Sequence, residues 1–224
     1  MSSAPTVPRQ ALAPPRAAAI AGLVFSALLI VSLVIIRLAV PADPTEPGAW
    51  LTDPALRNPV RLALQLVPFA GIAFLWFIGV LRNRLGALED QFFATVMLGS
   101  GLLYIATLFG AAALAGGLLE TFASGRSPLS QSETYAFGRA TSYTLLNVFA
   151  IKMAGVFMIS TSTIGLRTAI MPRWVALVGY AFALVLLTII TDFAWIAVLF
   201  PLWVLLLSTY ILIADFRQQH QMAI

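Results

Sequence analysis

Long apolar runs, each closed by a short polar or basic link, set the rhythm of this chain. Residues 17–40 are apolar except at Ser26, Ser32 and Arg37. Residues 60–81 follow, with Pro68 near the middle and Trp76 and Phe77 towards the far end. Residues 92–119 form a third run, long enough to tilt or to end early at Gly116 and Gly117, and residues 142–166 a fourth. A helix needs about 20 apolar residues to cross the hydrocarbon core of a bilayer, so each run predicts one crossing. From residue 174 to residue 214 the chain carries a single charge, Asp192. As one helix that stretch would be on the order of 60 Å long, twice the hydrocarbon thickness. It therefore divides into spans 174–190 and 193–214, with the turn at Thr191 and Asp192, where Thr191 caps the next helix and Asp192 meets its positive end. The expected fold is all-α, an integral membrane bundle of six transmembrane helices.

The links fit that frame. Residues 1–16 hold four prolines and little to bury, which predicts a disordered tail. A secretory signal would need a shorter apolar region than 17–40, so the first span is expected to stay in place. Residues 41–59 contain Pro41, Pro44, Pro47, Pro54 and Pro59, a density that predicts a stiff loop rather than a helix, with Trp50 at the interface. Ser130 and Glu133 have capping-box spacing, so a helix is expected to start there and run into the fourth span. Pro172 suits a helix start, Trp174 an interfacial anchor, and Pro201 a kink in the sixth span. Residues 215–224 form a second polar tail.

Composition turns this pattern into a solvent. The 224 residues are 60% hydrophobic and 10% charged, against about 25% charged in soluble domains. Too few polar groups exist to cover a globular surface in water, so the expected partner is the lipid bilayer. Lys+Arg is 13 and Asp+Glu 9, a net charge of +4. All the cations but one are Arg, and most close an apolar run. That is how topology signals look, and no basic patch with interleaved aromatics points to nucleic acid. With the N-terminus inside, the inner links hold Arg9, Arg16, Arg82, Arg84, Arg167, Arg173 and Arg217. The outer side holds Arg37, Arg57, Arg61, Arg126 and Arg139. The short inner links carry the denser Arg, so both termini are expected in the cytoplasm.

Little catalytic chemistry is on offer. There is no cysteine, which removes disulfides and thiolate sites. The single histidine, His220, lies in the polar tail, so this chain alone cannot supply a bis-histidine haem site. Intramembrane proteolysis would call for a Ser/His pair, two Asp residues or a histidine-bearing zinc set, and none is present. No cofactor is expected. Lys152, the only lysine, lies about ten residues into the fourth span, where an ionisable group costs several kcal/mol and normally faces a cavity or a partner. Two readings are open. In one, Lys152 marks a charge-coupled or anion-attracting site, approached past Asn147 and Tyr143, with Glu120 and Asp192 as partners. In the other, it snorkels to the headgroups or pairs with a carboxylate for structure. Glu120 and Asp192 read first as helix-end charges. The hydroxyls Ser160, Thr161, Ser162 and Thr163 read as packing contacts or as a polar path. Arg37 and Arg61 are expected to snorkel. Small residues at spacing four, Ala18/Gly22/Ser26, Thr107/Ala111/Ala115 and Gly179/Ala183, predict close helix contacts.

Two stretches carry a resemblance. Residues 81–86 (LRNRLG), 89–95 (EDQFFAT) and 98–101 (LGSG) are similar to uncharacterised multi-pass membrane proteins of actinobacteria. Residues 171–174 (MPRW) followed by Gly179 resemble the start of the penultimate span in a bacterial six-helix family of unknown function. The resemblance implies the same fold and a bacterial plasma membrane, and it implies no activity. The expected function is a non-enzymatic accessory or structural membrane component, partnered by another membrane protein or by a second copy of the chain. The alternative is a small transporter or channel that uses Lys152.

Overall fold

The computed structural model describes residues 15–40, 48–85, 91–123, 133–168, 171–188 and 195–222. Among them the chain is all-helical. Helix α1 spans Pro15–Ala39, α2 is a single turn at Ala49–Thr52, α3 spans Pro54–Leu85, and α4 spans Gln91–Ala123. Helix α5, Glu133–Thr144, continues through a π-helical segment, Leu145–Ala150, into α6, Ile151–Arg167. Helix α7 spans Arg173–Thr188, and α8 spans Leu199–Met222 after a 3-10 turn at Ile196–Val198. The apolar stretch 174–214 is thus two helices. The expected turn at Thr191 and Asp192 lies outside the described residues, as do both extreme tails and Ser130.

Five helical stretches are long and apolar enough to cross a membrane: Arg16–Ala39, Pro54–Arg82, Gln91–Ala123, Glu133–Arg167 and Ile196–Arg217. Arg173–Thr188 is apolar but shorter. Its 16 residues make about 24 Å of helix.

Several helices start or end beyond the apolar runs, for identifiable reasons. Proline density was expected to keep residues 41–59 from being helical, yet residues 49–52 and 54–59 are helical. Pro54 takes the first position of α3, where its missing N–H has no intrahelical partner to lose. The Asp53 carboxylate accepts the Ala55 N–H at 2.8 Å, and its carbonyl accepts Arg57 N–H at 2.9 Å. Gly116 and Gly117 do not end α4, which continues to Ala123. Pro201 was expected to kink the last span. It sits instead in the first turn of α8, where the orphan N–H positions tolerate it. Pro172 lies just before α7, and its carbonyl accepts the N–H groups of Val175 and Ala176.

Six rods pack side by side in a closed order. Helix α1 touches α3, α3 touches α4, α4 touches α6, α6 touches α7, α7 touches α8, and α8 returns to α1. Small residues bring the rods together. A Cβ on Gly22 would strike Ser208 Oγ and the Phe77 ring, and one on Gly179 would strike Ser162 Oγ and Trp203. The stripes Ala18/Gly22/Ser26 and Gly179/Ala183 therefore mark real helix contacts.

The middle of the ring is filled by aromatic rings. Phe74 of α3 lies 4.5 Å from Phe25, 5.2 Å from Phe157, 5.5 Å from Phe200 and 5.7 Å from Tyr104, centroid to centroid. Five of the six rods contribute to this plug. Outward faces are apolar too: Ile20, Phe69, Trp76, Leu103, Leu177 and Leu184 are all exposed. A bundle in water would carry polar residues there.

The two ends of the bundle differ. At one end the start of α1 meets the end of α8 through the ion pair of Arg16 Nε and Asp215 Oδ2 at 2.8 Å. At the other, a second small core gathers Ala39, Trp50, Leu51, Val60, Leu119, Phe122 and Tyr135. Gly48, at φ +86°, turns the chain into α2 there; its Cα faces the Tyr135 ring so closely that a Cβ would lie 3.0 Å from it.

Candidate functional site

The sequence-expected polar set does not gather in one place. Lys152 leaves α6 sideways towards α7. Its Nζ donates to the carbonyls of Leu186 at 2.9 Å and Leu187 at 2.8 Å. These belong to the last turn of α7, whose terminal carbonyls have no intrahelical donor. A cation at that negative helix end is doubly favoured, by hydrogen bonding and by the helix dipole. Gly155, one turn along α6, permits the approach: a Cβ there would lie 2.9 Å from the Leu187 side chain. Lys152 thus ties the short helix α7 to the bundle, a role the sequence reading had not named.

Glu120 is not beside Lys152. It pairs with Arg61 across α3 and α4 at 2.9 Å, and both side chains are solvent-accessible. Arg61 therefore does more than snorkel. Asp192 lies outside the described residues.

Asn147 and Tyr143 belong to a different place, a pocket at the end opposite the Arg16–Asp215 pair. Its walls are the end of α1, Trp50 of α2, the start of α3, the end of α4, and α5 with the π-helical segment. Leu33, Ile36, Leu64 and Leu118 give it an apolar lining, and Arg37, Arg139, Ser142, Tyr143 and Asn147 a polar one. The cavity is open at one side and has a volume of about 140 Å3. Arg37 was expected to snorkel outward. Instead its Nη2 reaches Asn147 Oδ1 at 3.4 Å, a long and weak contact. Asn147 sits within the π-helical segment, and its Nδ2 donates to the Tyr143 carbonyl at 3.1 Å. Widened turns of this kind recur at functional sites because they re-aim side chains.

Tyr135 organises the floor. Its hydroxyl accepts hydrogen bonds from Trp50 Nε1 at 3.3 Å and from Arg139 Nη1 at 3.2 Å. Trp50 was expected at the interface and is buried. Ser142 donates to the Ala111 carbonyl of α4 at 2.9 Å, fixing α5 against the opposite wall.

The hydroxyl run lies deeper, towards the Arg16 end. Thr163 shares a 2.7 Å hydrogen bond with the Tyr180 hydroxyl of α7. Thr161 and Ser162 are buried with no hydrogen-bond partner, as are Ser26, Ser208 and Trp203 Nε1. Trp174 is exposed, edge-on to Tyr210. Among the described residues no three His, Cys, Asp or Glu side chains gather as a metal site.

Compared with known protein families, curated proteins and solved structures, the chain finds no match.

Sequence reasoning found Lys152, Asn147 and Tyr143 but not Arg139, Tyr135 or the pocket. The one available signal was Arg37, a cation inside an otherwise apolar run. Its partners lie about a hundred residues away, on segments read as loop or span start.

Proposed function

We propose that this chain is a six-span protein of a bacterial plasma membrane, with both termini cytoplasmic, and that it serves as a non-enzymatic accessory or structural component. The plugged ring carries this reading. Rings from α1, α3, α4, α6 and α8 close the bundle axis, and the membrane-depth cation is engaged on the last turn of α7. An axial polar route, as a channel requires, would have to displace that plug. The count of six is supported by the Arg16–Asp215 pair. It holds the start of α1 and the end of α8 at one end, which requires an even number of passages through the bundle. Helix α7 is then the fifth of six crossings despite its length, with Lys152 completing its short end. The exposed apolar faces suit lipid, and the dense Arg of the Arg16 end suits the cytoplasm.

The test is purification in mild detergent. An accessory component co-purifies with a stoichiometric membrane partner or as a defined homo-oligomer. A clean monomer that supports solute flux in liposomes, lost in Lys152→Met, would overturn the reading in favour of transport.

A further inference from the structure

We infer that the groove between α3 and α4 seats a second copy of this chain, joined about a two-fold axis along the membrane normal. The inference rests on the membrane placement proposed above and names the partner that an accessory component would take.

The groove runs along the outward faces of two antiparallel helices. Arg61 of α3 and Glu120 of α4 close its rim at 2.9 Å. Phe109 packs over Gly71 at the other end, where a Cβ on Gly71 would strike the ring. Between these ends Gln65 and Pro68 stand on the α3 side, and Ala113 and Gly116 on the α4 side. Three features of this groove call for something other than hydrocarbon.

The first is Gln65. Its side chain is exposed and lies one helical turn, about 6 Å, inside the level of Arg61. Among the described residues none hydrogen-bonds it. Facing lipid tails, that amide gives up its bonds to water, whereas facing another helix it can bond across the contact. The second is Gly116. A Cβ there would meet nothing within 4 Å, so the missing side chain serves no contact inside the chain and leaves backbone bare to an outside partner.

The third is the sign of the rim charges. A patch that meets its own copy across a two-fold axis must be self-complementary. Half a turn about the membrane normal sets α3 of each copy against α4 of the other. Arg61 then faces Glu120 of the second copy, and Glu120 faces its Arg61. The four charges form a closed ring, each cation between two anions. Positions 61 and 65 of α3 run level with positions 120 and 116 of the antiparallel α4. One turn deeper, therefore, the long amide of Gln65 faces the bare Gly116 of the second copy. A lipid chain offers neither the charges nor the amide a partner.

The test uses full-length protein carrying donor or acceptor dye at Arg173→Cys, the chain having no native cysteine. It is reconstituted into vesicles of phosphatidylcholine and phosphatidylglycerol. Energy transfer should report a dimer that dissociates as lipid is added. Arg61→Glu and Glu120→Arg should each weaken self-association at least fivefold, because like charges then meet across the axis. An equal mixture of these two variants should recover the transfer, since each rim is then complementary to the other. Gly116→Leu has free space within its own chain, so it should abolish transfer with an unchanged thermal melt. Wild-type protein that stays monomeric at every dilution would overturn the proposal. So would a dimer unaffected by Gly116→Leu, or a mixture that associates no better than either variant alone. A wild-type monomer that co-purifies with a different membrane protein would keep the accessory reading and end this one. Protein that fails to float with the vesicles would overturn the membrane placement, and this proposal with it.

Discussion

At the Arg16 end the cations stand outside the bundle, whereas at the Arg37 end two of them are folded into it. Arg82, Arg167, Arg173 and Arg217 are exposed at the first end, and Arg167 rests on the face of Phe93 at 4.8 Å. The Arg16–Asp215 clasp and two aromatic contacts engage cations there, the second being Arg16 over Phe216 at 4.8 Å. The Arg37 end has its own small apolar core, an extra helical turn at α2 and a widened helical segment, and these give Arg37 and Arg139 fixed surroundings. A cation that only reports topology needs headgroups and water. One that is held in place needs walls, and walls are what the second end adds.

The aromatic plug separates these two halves, and its loss should have the largest effect. Phe74→Ala removes the ring on which five others converge. Large-to-small changes of this kind cost about 3–5 kcal/mol in soluble cores, and a lipid solvent should bring the loss towards the lower figure. The expected result is a clear drop in thermal stability in detergent, with faster hydrogen exchange on both sides of the plug. If exchange changed at one end alone, the plug would not be the common floor of the two halves.

Gly179→Val should come next. Its side chain would be driven into Ser162 and Trp203, where overpacking costs typically about 1–3 kcal/mol. Destabilisation with unchanged hydrogen exchange around Trp50 and Tyr135 would keep the two halves independent.

Lys152→Met should cost about 1–3 kcal/mol, the usual penalty for buried groups that lose a hydrogen-bond partner. The change should loosen the end of α7 specifically, read as faster exchange at the amides around Leu187, while Lys152→Arg recovers much of it. An unchanged α7 would mean that the tie to Leu186 and Leu187 carries no stability.

The smallest effects belong to the solvent-accessible pairs. Arg16→Gln and Arg61→Gln should each shift stability by no more than about 1 kcal/mol, since accessible ion pairs are screened. A larger loss for Arg16 than for Arg61 would identify the clasp as the better-buried pair, consistent with the low exposure of Asp215.

Much of the helical frame was legible in the pattern of apolar runs, because lipid-facing and core-facing positions are both apolar and leave long signals. The division of residues 174–214 followed from length alone. Helix starts were less legible: Pro54 and Pro59 read as breakers, and only their placement in the first turns of a capped helix makes them tolerable. The small-residue stripes through Gly22 and Gly179 were readable, since close contact needs a missing Cβ whatever the partner. The depth of Lys152 was equally plain, but among the described residues it engages the backbone carbonyls of Leu186 and Leu187, which leave no trace in side-chain identity. The pocket was illegible for another reason. Arg37, Tyr135, Arg139 and Asn147 become a set only when the end of α1 meets α5, and that meeting is a tertiary event.

The absence of native cysteine makes the topology directly measurable, because each introduced thiol is unique. Single variants Thr134→Cys at the Arg37 end and Arg173→Cys, Arg16→Cys and Arg217→Cys at the Arg16 end can be probed in intact cells with a membrane-impermeant maleimide. Six crossings with cytoplasmic termini predict labelling of Thr134→Cys in intact cells and of the other three only after permeabilisation. Labelling of Arg16→Cys and Arg217→Cys from opposite sides, or of all four from one side, would contradict the account.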